Sequence, residues 1–597
     1  MNVRQRLAAL RVLMKQYRVH GYLVPSTDAH QSEYVPTFWR RREWISGFTG
    51  SAGDVLVTEH KAALWTDGRY YLQAADQLSG SGITLMKVGM PETPTMSAWL
   101  AKTLHKGQRV AVDPRLLDVT SYNRLRSELT DLGIQLVSVE DNLVDLLWDE
   151  RPPAPDGTVE VHPVRYAGER FQDKLKRLRK ALAVFGARAH VITSLDQIAW
   201  LFNIRGSDVL HNPVVIAYAI VTEKSAMLFV DPKKIDGSVR RSFGKTVQVH
   251  SYEKFRTFLL RTAKSNGPWW VDPNTTSQWI VDLLASHSKF FFKPSPVIRF
   301  RAAKNAVEIR GARHAHLRDG VAMVRFLHWF DAALGGEHIT EISLAEKLEE
   351  FRKKSRQYRG PSFDTIAGYA AHGAIIHYSA TPETDIPLKK RGLLVLDSGG
   401  QYADGTTDIT RTLCLGPPTR AQKEHFTRVL KGHIQLTLVP FPTGTSGKQL
   451  DTLARRALWE VGLDYAHGTG HGVGSYLSVH EGPQAISPTR DTGVALEPGM
   501  ICSNEPGYYK AGEYGIRTEN LVYVAKNPEL SRNGKDFFKF ETLTLCPIET
   551  KLIEPSLLTS QEIRYLNSYH ATVRKALTRF LNKKEAAWLA KATRPIR

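Results

Sequence analysis

Cysteine is scarce in this chain: Cys414, Cys502 and Cys546 are its only three in 597 residues. An odd, sparse set excludes a disulfide framework and fits a reducing compartment. All three sit in apolar or strand-like runs, so they read as buried, inert thiols. Long hydrophobic runs are also missing. None approaches the ~20 residues of a membrane span, so no membrane partner is expected. The opening stretch, Met1 to Val24, carries Arg4, Arg6, Arg11, Lys15 and Arg18 in an amphipathic pattern. It lacks the apolar core and small-residue cleavage site of a secretory signal and reads as an ordinary first helix rather than a mitochondrial presequence. Cytoplasm is the expected location. Low-complexity segments are absent. Acidic residues are in short supply, 60 against 80 Lys and Arg, for a net charge of +20. Basic clusters occur at Arg40–Arg42, Lys174–Lys180 and Arg352–Arg359. They raise the question of a nucleic-acid or acidic-partner surface. The last two have helical spacing with interspersed apolar residues and read as solvated helix faces. No zinc finger or RNP motif accompanies them, so a nucleic-acid partner is not expected.

What is present divides into three blocks, a number the length accommodates at about 150 residues per domain. Two Pro-rich breaks, Arg151–Pro163 and Lys293–Phe300, give domains at 1–150, 151–300 and 301–597. The first two look like copies of one another. W-I-S-G-F-T-G-S from Trp44 matches W-L-F-N-I-R-G-S from Trp200, and V-T-E from Val57 leads to Asp67 as V-T-E from Val221 leads to Asp231. The β-branched runs VLVT, VVIAYAIVT and AMLFVD read as strands. The stretches RQRLAALRVLMKQY and FQDKLKRLRKALAVF read as covering helices, which makes each copy an α/β unit. The third block opens with helices over 302–330 and 342–356 and turns to short strands between Gly-rich turns, an α+β layout. Its end, 575–597, reads as an amphipathic helix with a basic tail.

The chemistry gathers in that third block, at Asp397, Asp408, His471, Glu505 and Glu519. Asp397 ends the buried strand pattern LLVL. Asp408 follows after a turn in T-D-I-T-R-T, which suits two neighbouring strands. Glu505 in S-N-E-P-G-Y-Y and Glu519 in G-I-R-T-E-N suit two strands of a hairpin turning over 510–514. Each acid taken singly suits a hydrogen-bonding role at a turn or strand edge, and Arg517 is the available organic partner. It cannot serve four carboxylates at once. Four carboxylates and one imidazole crowd together only around cations, and oxygen and imidazole donors without thiols suit two hard or borderline ions such as Mn²⁺, with Co²⁺ or Zn²⁺ also admissible. His467 and His471 lie four apart, but the glycines of H-G-T-G-H-G-V-G exclude a stable helix and mark a loop or strand edge where backbone approaches closely. His377 and His480 lie in the same block.

Taken together, H-G-T-G-H-G-V-G, D-G-T-T-D-I-T-R-T, N-E-P-G-Y-Y, G-I-R-T-E-N and G-A-I-I-H-Y resemble the aminopeptidase P family, the cytosolic Xaa-Pro aminopeptidases. D-A-H-Q-S-E-Y (28–34), G-S-A-G, W-T-D-G-R-Y and I-R-G-S-D extend the resemblance to the long, three-domain form over essentially the whole chain. The resemblance implies two creatinase-like α/β domains followed by a pita-bread metallopeptidase domain, two Mn²⁺ per subunit held by Asp397, Asp408, His471, Glu505 and Glu519, and a homodimer. It implies that His377, His467 and His480 handle substrate, that Arg69 binds substrate, and that Arg517 supports the ligands. The expected reaction is removal of the N-terminal residue from peptides with proline second, by a metal-bridging hydroxide, with Glu505 taking up its proton and the histidines positioning peptide and oxyanion. Two stretches depart from the family pattern: Asn504 stands where Asp is expected, and Gly368–Gly373 (G-Y-A-A-H-G) replaces a T-G-x-N-G-like stretch. A prolidase or methionine aminopeptidase would use the same five ligands. A binding protein reusing the fold would lose some of them, and here all five are present.

Overall fold

The computed structural model describes residues 1–489, 493–532 and 534–597. The chain forms two compact units, Met1–Pro163 with Glu169–Ile298, and Val164–Gly168 with Arg299–Arg597. In the first unit the duplication seen in sequence is a duplication of topology. Each half holds a six-stranded sheet. In one half Gly21–Val24 pairs antiparallel with Asp54–Thr58 and parallel with Arg109–Val112. In the other, Ala189–Ile192 pairs antiparallel with Tyr218–Thr222 and parallel with Trp269–Val271. The covering helices form where their apolar spacing places them, at Val3–Gln16 and Phe171–Val184. Asn2 starts the first with a capping box to Gln5.

The run VVIAYAIVT is a strand only over Tyr218–Thr222. Its first half is claimed by the loop around Asp208, whose backbone N–H bonds Val214 O and whose carboxylate accepts from the Ile216 N–H. The basic clusters are also less exposed than helical spacing implied. Lys174 is buried and donates to Trp200 O (2.9 Å) and Asn203 Oδ1 (2.7 Å). Arg41 pairs with Asp145, and Arg352 pairs with Asp319 inside the second unit. A long aliphatic stem reaches a buried acceptor as readily as it reaches water.

The second unit is α+β. Helices Ala306–Ala333, Glu341–Lys353, Arg420–Leu438, Gly447–Trp459 and Ser560–Leu577 surround short strands whose described pairings are all antiparallel. Leu393–Ser398 lies between Ile366–Tyr369 and Ile409–Cys414, and Ile501–Asn504 between Gly470–Gly472 and Asn520–Lys526. The apolar faces of the long helices close the core on these strands through Phe326, Phe330, Leu394 and Leu396 on one side and Val429, Leu430, Ile516 and Leu566 on another. The second Pro-rich break contains a short helix, Pro296–Ala302, because proline is well placed in a first helical turn. The end of the chain is two helices rather than one. Ser560–Leu577 stops, and Asn582 caps a new helix, Lys583–Ala592. The three cysteines are buried and unbridged. Among the described residues no helix is long and apolar enough to cross a membrane.

Candidate metal centre

The five donors come from three pieces of backbone that the strand pairing brings together. Asp397 sits in Leu393–Ser398 opposite Thr410, and Asp408 immediately precedes the partner strand Ile409–Cys414. Glu505 and Glu519 occupy the gap between two ladders of one hairpin. Asn504 pairs with Asn520 below the gap and Gly507 with Arg517 above it. Freed from the ladder, the Glu505 N–H bonds Thr469 O (2.8 Å) and the Glu519 N–H bonds Thr410 O (3.1 Å), tying both acids to the strands that carry the other donors. His471 lies in Gly470–Gly472, where the flanking glycines are required. A Cβ on Gly470 would meet Ser503 O at 2.0 Å, and one on Gly472 would meet Glu481 O at 2.1 Å. The close approach expected of this loop is therefore an approach to neighbouring backbone.

Asp408, His471 and Glu519 each offer a ligand atom within 4.8 Å of the others. His471 Nε2 stands 3.3 Å from Glu505 Oε1 and 3.6 Å from Asp408 Oδ2. Its Nδ1 lies 2.9 Å from Gly472 O, which places a proton on Nδ1 and turns Nε2 towards the two carboxylates. Carboxylates gathered this closely need positive charge among them. Asp397 Oδ1 is buried and finds no hydrogen-bond partner among the described residues. Burial, reinforced by Asp397 and Glu505, raises the Asp408 carboxyl well above the usual range; burial with Asp408 and Glu505 does the same to Glu519. Burial pushes Glu505 up to about 7 against the lowering effect of Arg517. This donor set, oxygen and imidazole around an anion excess, fits the pair of hard cations read from the sequence.

Arg517 is the protein's own counter-charge. It donates to Asp397 Oδ2 (2.7 Å), Thr410 Oγ1 (3.1 Å), Tyr509 OH (2.6 Å) and Ile376 O (3.3 Å). The last of these fixes the backbone beside His377. Thr410 Oγ1 in turn donates to Glu519 Oε2 (2.8 Å), and Ser503 Oγ to Glu505 Oε1 (3.0 Å). His480 packs edge-on against His471, ring centres 4.3 Å apart. His467 places Nδ1 on Gly468 O (2.8 Å) and Nε2 on Tyr509 OH (2.9 Å). Arg69 lies in the first unit, where Asp67 accepts from its Nε (2.8 Å) and Nη2 (2.7 Å).

Residues that carry no role in the sequence reading also build this centre. Tyr509 belongs to the quoted N-E-P-G-Y-Y motif and joins Arg517 to His467. Thr410 and Ser503 orient Glu519 and Glu505. Both departures from the family pattern have physical partners. The Asn504 amide donates to His433 O and Thr437 Oγ1, both at 2.9 Å, bonds that a carboxylate cannot donate. His372, within the second departure, places Nδ1 on buried Glu341 (2.9 Å), which also accepts from the Tyr369 N–H and Tyr378 OH.

Four family models match the chain: the creatinase/prolidase N-terminal domain over residues 6–146 and, as a second form, 150–308; metallopeptidase family M24 over 310–526; and the C-terminal region of peptidase M24 over 536–596. A probable Xaa-Pro aminopeptidase P of Coprinopsis cinerea is 43% identical over 612 aligned positions, covering 99% of this chain and 98% of that one. Aminopeptidase P2 of Arabidopsis thaliana is 41% identical, covering 100% and 89%. The crystal structure of an X-prolyl aminopeptidase from Caenorhabditis elegans, described as a cytosolic enzyme with a di-nuclear active site, superposes with a TM-score of 0.96 at 38% identity over 100% of both chains.

Proposed function

The chain belongs to the Xaa-Pro aminopeptidases of metallopeptidase family M24, and from that premise we propose that it removes the N-terminal residue from peptides whose second residue is proline. The observation that carries this reading is the gathering of acids at the centre: four carboxylates and an imidazole converge, and among the described residues one arginine faces them. Asp397, Asp408, His471, Glu505 and Glu519 would hold two cations, Mn²⁺ by preference, with Co²⁺ or Zn²⁺ compatible with the same donors. When bound, such a pair would supply Lewis acidity and lower the pKa of a water towards neutrality, giving the hydroxide nucleophile expected from the sequence.

The protein's own groups do the rest. An Xaa-Pro bond has no N–H, so recognition must come from the substrate's free amine, its carbonyl and the proline ring. Glu505 would accept the proton lost by the attacking water at a carboxylate oxygen. An imidazole, that of His467 or that of His480, would stabilise the developing oxyanion, and His377 would orient the proline side. Arg517 keeps the Asp397 carboxylate fixed. Arg69 keeps a substrate-binding assignment that rests on the W-T-D-G-R-Y motif. The same reading takes the chain as a cytosolic homodimer divided at 1–150, 151–300 and 301–597.

The test is release of the first residue from Arg-Pro-Pro by metal-stripped protein, with and without Mn²⁺, beside the Arg-Pro dipeptide and an Asp408→Ala control. Mn²⁺-dependent cleavage of the tripeptide, lost in the control, is the expected result. Cleavage of the dipeptide alone would make the protein a prolidase. No cleavage of either by folded, metal-loaded protein would end the catalytic reading.

A further inference from the structure

The stretch over 465–472 carries two of the assigned histidines; Gly470–Gly472 is held by strand pairing and by the His471 N–H bond to Ser503 Oγ (2.9 Å), and the residues before it form a loop. Gly468, Gly470 and Gly472 alternate through the stretch, which maximises the conformational freedom lost on ordering. A further restraint on the residues before the strand comes from helix Gly447–Trp459, where Asp451 and Arg455 lie one turn apart, both almost fully buried. Arg455 Nε donates to Asp451 Oδ2 at 2.6 Å, which sets the plane of the guanidinium. Its other two nitrogens then reach the loop backbone: Nη1 donates to Tyr465 O (2.7 Å) and Nη2 to His467 O (2.6 Å). Nη1 also meets Asp464 Oδ1 (2.8 Å), and the guanidinium lies 3.9 Å from the centre of the Tyr465 ring.

Asp451 completes the hold from the other side. Its Oδ1 accepts from Thr469 Oγ1 (2.6 Å), whose oxygen also bonds the Tyr465 hydroxyl (2.5 Å). Tyr465, His467 and Thr469 are alternate residues, so one ion pair on one helix grips every second position of the loop. The grip extends into the centre, because Thr469 O is the acceptor for the Glu505 N–H. With its carbonyl fixed, the His467 ring is directed to Tyr509, and His471 follows two residues after Thr469.

We propose that Asp451 and Arg455 are positioning residues, an ion-paired clamp that sets His467 and His471 against the carboxylates of the candidate centre. The inference rests on the metallopeptidase reading for its activity arm only. Arg455→Lys keeps the charge opposite Asp451 but replaces a rigid fork by a point charge that cannot span Asp451 and both carbonyls. Thr469→Val keeps the volume and removes the hydroxyl that joins loop to Asp451.

Mn²⁺ titration of metal-stripped full-length protein by calorimetry is the primary measurement, with kcat and KM on Arg-Pro-Pro and the unfolding temperature measured beside it. Arg455→Lys is expected to weaken Mn²⁺ binding by about 10–100-fold and to lower kcat over the same range, with KM nearly unchanged. Thr469→Val should shift both in the same direction by less. A residue that merely stabilises the fold would lower the unfolding temperature and leave metal affinity alone, and that pattern overturns the proposal. Should Arg455→Lys fail to fold, Thr469→Val decides: wild-type affinity and kcat would refute the clamp. Should the wild type bind Mn²⁺ but cleave nothing, the function reading falls and the affinity difference still tests the clamp.

Discussion

Two buried charge clusters in the second unit balance their charges in opposite ways. Around Glu481, among the described residues, one carboxylate meets two cations: Lys304 Nζ bonds Oε1, and Arg301 Nε stands 3.3 Å from Oε2, all at or below 5% side-chain exposure. Around Asp408 and Glu519, four carboxylates meet one arginine among the described residues. The clusters are adjacent in sequence, since Glu481 follows directly on His480. The first pairs its carboxylate with cations of the protein and ties the strand after His480 to the segment entering the long helix. The second is complete only with something the protein does not encode, which is the mark of a binding site rather than a structural ion pair.

The largest effect that sharpens this contrast is on stability. Glu481→Gln removes the carboxylate that Lys304 and Arg301 both face and leaves the two cations buried, so it should destabilise the folded state by about 3–5 kcal/mol. Added Mn²⁺ should restore none of the loss beyond what it gives the wild type. Urea unfolding with and without metal measures both. A loss below 1 kcal/mol would mean that the cluster is solvated and the contrast does not exist.

At the other cluster the sign reverses. Glu505 is raised in the fold to about 7 from an ordinary 4.5, chiefly by burial. A carboxyl raised by folding holds a proton that the unfolded chain gives up. Its penalty is therefore absent below about pH 4.5 and grows as pH rises through 7. In metal-free protein, Glu505→Gln should be more stable than wild type by about 1–3 kcal/mol at pH 8, with the advantage gone near pH 5. Thermal unfolding in chelator across that range reads it. A variant less stable than wild type at pH 8 would show that Arg517 already neutralises the site.

The contrast also explains what was legible in the sequence. Asp397, Asp408, His471, Glu505 and Glu519 stand out because each breaks a strand or glycine pattern locally, and local pattern is what a sequence displays. The duplicated sheets were visible for the same reason, through paired motifs at equal spacing. The clamp at Asp451 and Arg455 was not, since an Asp–Arg pair one helical turn apart reads as a surface pair until the fold buries it. Lys174 and Arg352 hid inside basic runs likewise, and Val214–Ala217 looked like strand until Asp208 took its backbone bonds. Tyr509 sat within a recognised motif, but its role depends on Arg517 from the other arm of the hairpin and His467 from a separate loop.

Tyr509 is also where the smallest effect is expected, and it tests whether the anion-rich cluster is organised as a whole. Its hydroxyl accepts from Arg517 Nη1 and donates to His467 Nε2, because the His467 proton is held at Nδ1 by Gly468 O. Tyr509→Phe removes one oxygen and leaves Arg517 its bonds to Asp397, Thr410 and Ile376. The carboxylates should stay in place, so Mn²⁺ affinity should hardly move. His467 alone loses its restraint, and kcat on Arg-Pro-Pro should fall about tenfold. If metal affinity falls with kcat, Arg517 depends on Tyr509 and the cluster is a single cooperative network. If kcat is unchanged, His467 does not act from the orientation Tyr509 gives it, and the oxyanion assignment passes to His480.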